Sequence, residues 1–578
     1  MRIYDFVAKL LPCVAAAGVL ALTGCQDDNY DFDEVDMTVG IGGDGLTLPV
    51  SSTNVIKLED VLELDGSECV VVRDNGDYVF TQEGGDAEPA RPRIAAIEVE
   101  QSTEPVEGVV EISAVPSTGG MGFDITAGGK AQSFSYSGSL PEEVTSLSHV
   151  ALNTDLTFTV NFPAALSSAV KTVRRMAVTL PSYMEIVGVV PGADGNTIVR
   201  ENVPTNRPFS LDVTLTGLDF AEDKQVNGRV AIENRQVVME GDILVDVEAT
   251  ASTNTGIDGS QIRSSMRMDD IKITSATGTF TPEIYLDNLG DVDVTGVPDF
   301  LTDGRVRVDL YNPQIIITVS NDMAVGGLVT GTIRSFKDGS QLAEVAVPQF
   351  RVNPSGTTTV CFCRRDEGID HSLYDDVQAI ANLSDLVETI PERITFEASA
   401  HADPSEESYF EFDHDYMVQP SYTIDAPIMF DENARIVYKD TLDGWHDDIE
   451  DFELADGAYI NLSATVENRV PAYLTVDAKA VDVDGNEMGD DEITVTVNNT
   501  VAASEDGETP AETALSVDLR QVGEGAFKRL DGIIFNIEAA ASDGNKAVVG
   551  KTLNAQKHSL VAKDIKVTLV GKIIGDFN

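Results

Sequence analysis

The histidines and cysteines are the residues of this chain best suited to chemistry, so their spacing is considered first. His401-Ala402-Asp403 and His414-Asp415 each place an acid beside a base, but no Gly-x-Ser-x-Gly nucleophile motif accompanies them. Cys361-Phe362-Cys363 places two thiols on one face of a strand, and His371 follows. A zinc site needs more ligands in fixed geometry. A buried thiol pair, or one disulfide to Cys69, is the simpler interpretation, and no metal site is expected.

Carboxylates are abundant, and one loop begins like a calcium site. Asp482-Val-Asp484-Gly-Asn486-Glu487 starts as an EF-hand loop does, but Glu487 and Ile493 stand where that loop needs Gly and Glu. A hairpin tip is therefore the preferred interpretation, with a looser Ca²⁺ site as the alternative. Glycosidases need two opposed carboxylates, and no pair stands out among so many. We expect no cofactor and no enzyme activity, with an envelope hydrolase as a remaining alternative.

Trp445 is the only tryptophan, in a chain whose aromatic content is 6%. Carbohydrate-binding modules present several amphipathic rings to sugar faces. Trp445, beside His446-Asp447-Asp448, is therefore either such a recognition platform or a core anchor of the last domain. The anchor interpretation is preferred because the aromatic content is so low.

Composition excludes several classes of function. The chain has 578 residues, a hydrophobic content of 42% and a net charge of −58. Such a content supports several packed cores. The negative potential repels phosphate backbones, so we expect no nucleic-acid partner. Three cysteines beyond Cys25 allow at most one disulfide, so this is not a disulfide-built scaffold.

Alternating apolar residues indicate strands along most of the chain. Leu156-Thr-Phe158-Thr-Val160 and Ile493-Thr-Val495-Thr-Val497 show the period of two typical of half-buried strands. Turn residues such as Asn75-Gly76 and Asp338-Gly339 separate these runs. The pattern predicts an all-β, mostly antiparallel fold of tandem β-sandwich or Ig-like modules with one or two short helices.

The length and the turn signals predict five segments. Residues 1–24 form a signal peptide, 25–45 an acidic, Gly-rich tether, and 46–225 the first β domain. Residues 226–430 form a second β domain with a short helix near 373–390, where helical spacing of apolar residues ends at Pro391. Residues 431–578 form the third β domain.

A weak internal repeat relates the later domains. One run begins at Asp299-Phe300 and ends in Thr318-Val319-Ser-Asn321, and another begins at Asp451-Phe452 and ends in Thr465-Val466-Glu-Asn468. A similar run leads from Leu140-Pro141 to Thr159-Val160-Asn161 in the first domain. The spacing of about 150 residues predicts three related sandwich modules in tandem. Chance similarity between β sequences is the alternative.

The N-terminal residues have the pattern of a secretion signal. Arg2 and Lys9 precede an apolar run that ends near Ala21, and that run is too short for a permanent membrane span. Leu22-Thr23-Gly24-Cys25 resembles the lipobox of bacterial lipoproteins. The resemblance implies that Cys25 is acylated and becomes the first residue of the mature protein.

The residues after Cys25 are strongly acidic. They resemble the surface-export signal of Bacteroidota lipoproteins, and the acids concerned are Asp27, Asp28, Asp31, Asp33 and Glu34. A solvated tether is the simpler interpretation of such a charge run, and both can hold together. The segments 39–49 and 427–445 also resemble a family of large β-rich Bacteroidota surface lipoproteins to which no biochemical activity is assigned, so no catalytic residue is transferred.

The expected protein is therefore lipid-anchored in the outer membrane and faces the cell exterior. Its expected role is structural, adhesive or binding, without catalysis. The expected partners are the membrane, through the N-terminal lipid, and an envelope protein, a host molecule or a glycan. The alternative role is carbohydrate capture for a nutrient-uptake system.

Overall fold

The computed structural model describes residues 39–49, 55–59, 69–84, 87–101, 104, 107–118, 120–188, 196–285, 291–297, 301, 303–449, 452–455 and 457–575. Strands dominate these residues and are almost all antiparallel, which confirms the predicted fold class. Within them, the pairing of β23 with β24 (Gly356–Cys363 and Asp376–Ala379) is the one parallel ladder. No described helix is long and apolar enough to cross a membrane.

The strands and helices have the following bounds in chain order. Strands β1 to β12 are Val39–Pro49, Ile56–Lys57, Val70–Val72, Tyr78–Glu83, Ile97–Gln101, Gly108–Glu111, Ser113–Pro116, Phe123–Ser139, Val144–Asn161, Thr172–Thr179, Met184–Val187 and Thr197–Pro204. Strands β13 to β24 are Phe209–Asp219, Gly228–Glu233, Gln236–Ala251, Gln261–Met268, Ile271–Phe280, Glu283–Ile284, Val292–Asp293, Gln314–Asn321, Gly327–Lys337, Ser340–Val352, Gly356–Cys363 and Asp376–Ala379. Strands β25 to β35 are Arg393–Ala402, Ser408–Glu411, Val418–Pro427, Arg435–Leu442, Phe452–Leu454, Tyr459–Asn468, Tyr473–Asp482, Ile493–Asn498, Ala511–Gln521, Leu530–Ala540 and Ser559–Gly575. The α-helices are α1 (Ala164–Ala169) and α2 (His446–Ile449), and the 3₁₀ turns are Glu222–Lys224, His371–Leu373, Leu383–Leu386 and Ala526–Arg529.

The first β unit is one continuous 14-stranded sheet. Strand β5 joins its two halves, which run in the orders β11-β13-β9-β17 and β8-β15-β10-β12. Apolar side chains from both halves, such as Phe158 and Val245, share one buried core. The long strand β15 pairs with β8 from Gln236 to Ala251, so the first unit extends past the boundary predicted at residue 225.

The second β unit consists of two sheets. Their orders are β24-β23-β20-β27-β4-β3 and β18-β25-β21-β22, and β19 pairs with β25. Asp338 and Gly339, both at positive φ, form the predicted tight turn between β21 and β22. Asn75-Gly76 likewise joins β3 to β4, with Gly76 at a φ of +86°. These two early strands complete a sheet whose other members come from residues 314–427.

The third β unit pairs a seven-stranded sheet with a three-stranded one. The orders are β1-β35-β30-β33-β32, with β2 and β29 on β35, and β28-β34-β31. Strand β1 pairs with the last strand from Val39 to Pro49. The predicted tether of 25–45 therefore ends earlier than expected, because its last residues gain backbone partners in β35. The predicted domain of 46–225 is also divided, since its first strands complete the second and third units.

The helix predicted near 373–390 is absent. The structure has strand β24 there, followed by the 3₁₀ turn Leu383–Leu386. Strand β24 satisfies its backbone on the edge of β23, and the turn buries Ile380, Leu383 and Leu386 over the core. Over so short a stretch, a strand followed by a turn produces the same apolar spacing as a helix.

The repeat predicted between the second and third units is visible in their hydrogen bonds. Asn321 closes β20: its Nδ2 donates to the carbonyls of Val325 and Asn353, and its Oδ1 accepts from the amide of Met323. Asn468 at the end of β30 makes the same three kinds of bond, to residues four, thirty-four and two positions later. Matching buried bonds at matching strand ends indicate related modules. Asn161, the predicted third equivalent, is exposed.

Candidate functional site: an apolar cavity between the second and third units

A cavity of about 180 Å³ lies where the second unit meets the third. Twenty-one of the residues that the structure describes line it, and among these Tyr438 and Ser559 are the only ones with a polar side-chain atom. The lining residues are Ile56, Leu58, Val70, Phe80, Leu301, Val308, Leu310, Val387, Ile390, Ile428, Phe430, Ile436, Tyr438, Val470, Ala472, Leu474, Ile537, Ala539, Leu553, Ser559 and Leu560. Since eight separate stretches of chain supply them, only the assembled fold creates the site.

One wall of the cavity is the three-stranded sheet of the third unit. Ala539 on β34 is paired with Ile436 on β28 and with Leu474 on β31, so the three residues form one row across the sheet. Neighbouring strands lie about 4.8 Å apart. A small residue between two large ones leaves a hollow in the middle of this row, and that hollow is part of the cavity wall.

The opposite wall comes from the second unit and is tied to the third by backbone hydrogen bonds. The amide of Tyr78 donates to the carbonyl of Leu553 over 2.9 Å, and the amide of Leu553 donates to the carbonyl of Ile428 over 2.8 Å. Val70 and Phe80, on the adjacent strands β3 and β4, add their side chains to this wall. Because both walls are hydrogen-bonded to each other, the cavity is preformed.

A buried ionic network holds the chain beside the cavity. Arg364 Nη1 lies 2.8 Å from Asp309 Oδ1 and 2.9 Å from Asp431 Oδ2, and Arg365 Nη2 lies 2.7 Å from the same Asp431 oxygen. Both carboxylates are buried. Their neighbours Leu310 and Phe430 line the cavity. The network therefore fixes these two lining residues, and its charges are paired with one another.

A second polar contact joins the units near Ser559. Asn554 Nδ2 donates to Asp77 Oδ1 and to the carbonyl of Asn75, in the hairpin between β3 and β4. The Asn554 amide in turn donates to Nδ1 of His558 over 3.0 Å. Burial lowers the pKa of His558 to about 4, against an opposing effect of Asp77. His558 is therefore neutral at pH 7, as an acceptor at Nδ1 must be.

The cavity is suited to binding an apolar group. Among the described residues that line it, there is no carboxylate, histidine, thiol or cation of the kind that acid-base and nucleophilic chemistry use. An apolar space of this size gives a ligand dispersion contacts and removes its surface from water. The geometry therefore supports a site for an uncharged, apolar group.

Trp445 lies in the core of the third unit, with 4% of its surface exposed. Its neighbours there include Ile460, Phe527 and Leu530, around a small cavity of about 60 Å³. The buried indole Nε1 has no hydrogen-bond partner among the described residues. A side chain so enclosed cannot stack on a sugar, so its position is that of the anchor rather than of the recognition platform.

The predicted acid-base pairs do not converge. His401 Nε2 lies 3.4 Å from Ser399 Oγ on an exposed part of β25, and His414 Nδ1 lies 4.0 Å from Glu411. Among the described residues, no three His, Cys, Asp or Glu side chains are grouped as metal ligands. Asp482 accepts hydrogen bonds from the amides of Asp484 and Asn486, as a hairpin tip does.

Among the described residues, the cysteines are Cys69, Cys361 and Cys363, which are buried and form no disulfide. The Sγ of Cys361 lies 3.8 Å from Gln314 Oε1, and the Sγ of Cys363 lies 3.8 Å from the carbonyl of Gln378. The Sγ of Cys69 lies 3.5 Å from the carbonyl of Gly296. Burial raises the pKa of Cys361 to about 12 and also raises that of Cys363. The expected alternative of a buried thiol pair is the one present, without a disulfide.

The remaining predicted site residues lie outside the described part of the chain. They are Cys25, Asp27, Asp28, Asp31, Asp33 and Glu34. Sequence reasoning in turn missed the cavity, because its lining residues read as ordinary strand residues. The one local signal is Ala539, a small residue in the otherwise bulky alternation of β34.

No protein-family profile and no curated protein matches the chain. Among solved structures, it is similar to a protein of Parabacteroides distasonis ATCC 8503 described as secreted, with 12% identity and a TM-score of 0.33 over 51% of this chain and 82% of that one. It is also similar to chains of two viral particles. The T13 particle of infectious bursal disease virus gives 7% identity and a TM-score of 0.12, over 90% of this chain and 82% of that one. Sulfolobus turreted icosahedral virus gives 9% and 0.10, over 81% and 91%. These similarities are too weak to support an argument about function, so the proposals below are argued from this chain's own residues.

Proposed function

We propose that this protein is a lipid-anchored binding protein of the outer membrane, exposed on the cell surface and without catalytic activity. The observation that carries the binding role is the apolar cavity, whose described lining residues offer contact area to an apolar group. The anchor rests on Leu22-Thr23-Gly24-Cys25, where acylation would attach the chain without a membrane-spanning helix.

The tether length sets how the protein would stand on the membrane. Thirteen residues lie between Cys25 and Val39, and an extended chain over these fourteen residue steps reaches at most about 50 Å. Val39 pairs with Gly575, whereas Leu560, at the other end of β35, lines the cavity. The fifteen residue steps from Leu560 to Gly575 span about 50 Å of strand. The lipid would therefore be attached through the end of β35 that is farther from the cavity.

Surface charge favours exposure to water rather than adsorption on the bilayer. Residues 1–24 contain two basic residues and one acidic residue, so their removal changes the net charge from −58 to −59. Such a negatively charged surface is repelled by anionic lipids. It also keeps an exposed protein soluble. Attachment would depend on the lipid alone, which leaves the units free to meet an envelope protein or a host molecule.

The anchor is tested by lipid labelling of Cys25→Ala in cells. The wild-type protein should incorporate a labelled fatty acid and sediment with membranes, whereas the variant should lose the label and become soluble. Cys69→Ala is the matched control, because its thiol is buried and should not be acylated. Membrane-bound Cys25→Ala would refute the anchor.

Surface exposure is tested by replacing the five acids Asp27, Asp28, Asp31, Asp33 and Glu34 with Ala. Acylation should persist, but protease added to whole cells should no longer reach the protein. Replacing five exposed acids elsewhere, for example in the loops of the third unit, controls for net charge. Equal protease access in the wild type, the five-acid variant and the charge control would refute the export signal. The acidic run would then be only a tether.

A further inference from the structure

We infer that the cavity between the second and third units binds a neutral hydrocarbon group of about six to eight carbon atoms. This inference names the ligand class for the binding role proposed above, and it rests on that proposal. The size follows from comparison: a dry, apolar engineered cavity of about 150 Å³ binds benzene, and this cavity measures about 180 Å³.

Water is a poor occupant of this space. A buried water molecule typically makes two to four hydrogen bonds, whereas, of the described lining residues, only Tyr438 and Ser559 offer side-chain polar atoms. The other nineteen lining residues lose dispersion contacts wherever they face empty space. A hydrocarbon restores those contacts without leaving a polar group unpaired.

The ligand should be uncharged. The described residues that line the cavity include no basic side chain, and the nearby guanidinium groups of Arg364 and Arg365 are paired with Asp309 and Asp431. A carboxylate entering this space would lose its hydration without gaining a partner. The net charge of −58 also lowers the local concentration of anions around the protein.

Binding should strengthen the contact between the two units. Phe80 and Ile428 from the second unit and Ala539 and Leu560 from the third lie on the same cavity. A ligand that touches both walls is lost when either unit unfolds or when they separate. It therefore stabilises the folded assembly in proportion to ligand concentration above its Kd.

The test uses residues 26–578, which lack the signal peptide and the acylated Cys25 and so need no detergent, and it follows thermal unfolding by the fluorescence of Trp445 and by circular dichroism. Toluene should raise the Tm with a saturable dependence on concentration, and octanoate at the same concentrations should not. A toluene effect that is absent up to its solubility limit, or that never saturates, would overturn the inference. An equal effect of octanoate would overturn the requirement for a neutral ligand.

Two variants connect the effect to the cavity. Ala539→Leu fills the hollow between Ile436 and Leu474 and should abolish the toluene shift, whereas Ala514→Leu, on an exposed position of β33, should retain it. Leu474→Ala enlarges the space and should extend binding to naphthalene, which keeps the test valid if Ala539→Leu does not fold. Equal toluene shifts in Ala539→Leu and Ala514→Leu would contradict the site. None of these unfolding experiments depends on lipid labelling at Cys25. A negative result with toluene would therefore reject the hydrocarbon ligand without rejecting the proposed lipid anchor, and the reverse also holds.

Discussion

Asn468 should be among the most sensitive positions of the third unit. Its side chain is fully buried at the end of β30. Nδ2 donates to the carbonyls of Ala472 and Ala502 over 2.9 Å each, and Oδ1 accepts from the amide of Val470 over 2.7 Å. Replacement by Ala removes all three bonds and leaves a small void that cannot supply partners.

The expected cost follows from those orphaned groups. The carbonyl of Ala472 and the amide of Val470 belong to buried residues, whereas Ala502 is partly exposed and can bind water. A buried polar group without a partner costs about 1–3 kcal/mol. The carbonyl of Ala472 and the amide of Val470 would each lose their partner, and the carbonyl of Ala502 would exchange its bond for one to water. Together these changes predict a loss of about 3–5 kcal/mol in the free energy of unfolding. Asn468→Asp should also be costly, because a carboxylate oxygen would replace the donor.

The assay is urea unfolding followed by the fluorescence of Trp445, which lies in the core of the third unit and is the only tryptophan. Asn498→Ala is the matched control: Asn498 is exposed on β32 and bonds only to Ser516 at the surface. Its free energy of unfolding should change by about 0.5 kcal/mol or less. Asn321→Ala should lower the free energy of unfolding as much as Asn468→Ala does. Because Asn321 belongs to the second unit, its effect should be seen in the unfolding transition of that unit, followed by circular dichroism.

A loss below about 1 kcal/mol for Asn468→Ala would refute the reasoning, since it would mean that water satisfies the exposed backbone groups. Equal losses for Asn468→Ala and Asn498→Ala would refute it as well. A large effect at Asn468 with none at Asn321 would contradict the equivalence of the two strand ends, and with it the internal repeat.

Three further predictions concern buried side chains. Trp445→Ala should destabilise the third unit by about 3–5 kcal/mol, measured by circular dichroism in urea, because a buried ring is lost; unchanged stability with lost partner binding would instead make Trp445 a recognition residue. Stability should fall as the pH drops from about 6.5 towards 4, because the pKa of His558 is lowered to about 4 in the folded protein and the unfolded chain binds the proton first. That contribution is about 3 kcal/mol, and His558→Gln should flatten this part of the pH profile; a slope unchanged by the substitution would refute the assignment. The thiols of Cys69, Cys361 and Cys363 should react with an aromatic disulfide reagent only after unfolding, because they are buried and burial raises the pKa of Cys361 to about 12; rapid reaction of the folded protein would contradict this.

Local sequence patterns were sufficient where the structure depends on neighbouring residues. The alternation in Leu156, Phe158 and Val160 predicts a strand with one buried face, and all three side chains are buried. Asp338-Gly339 predicts a tight turn because both residues tolerate positive φ, and both adopt it. Period and turn chemistry are properties of a few consecutive residues, so the all-β class is readable from the chain.

The same patterns failed where a local signal had two solutions. Apolar spacing between Leu373 and Ile390 predicted a helix, but the edge of β23 offers backbone partners to β24 and the chain takes them. The pairing of strands that are far apart in sequence could not be predicted either, because a local pattern does not identify the partner strand. Val39 meets Gly575 and Val79 meets Pro427, and no alternation within either strand specifies which edge it will complete.

The sequence by itself determined the β class, the tight turns and the negative charge, because each depends on composition or on adjacent residues. Only the tertiary structure decided that Trp445 is enclosed, that Asn321 and Asn468 make matching hydrogen bonds, and that an apolar cavity exists. The physical reason is long-range packing. Ile56, Phe80, Leu310, Ala539 and Leu560 become neighbours only when sheets from distant parts of the chain pack together, and the space left between them is a property of that packing.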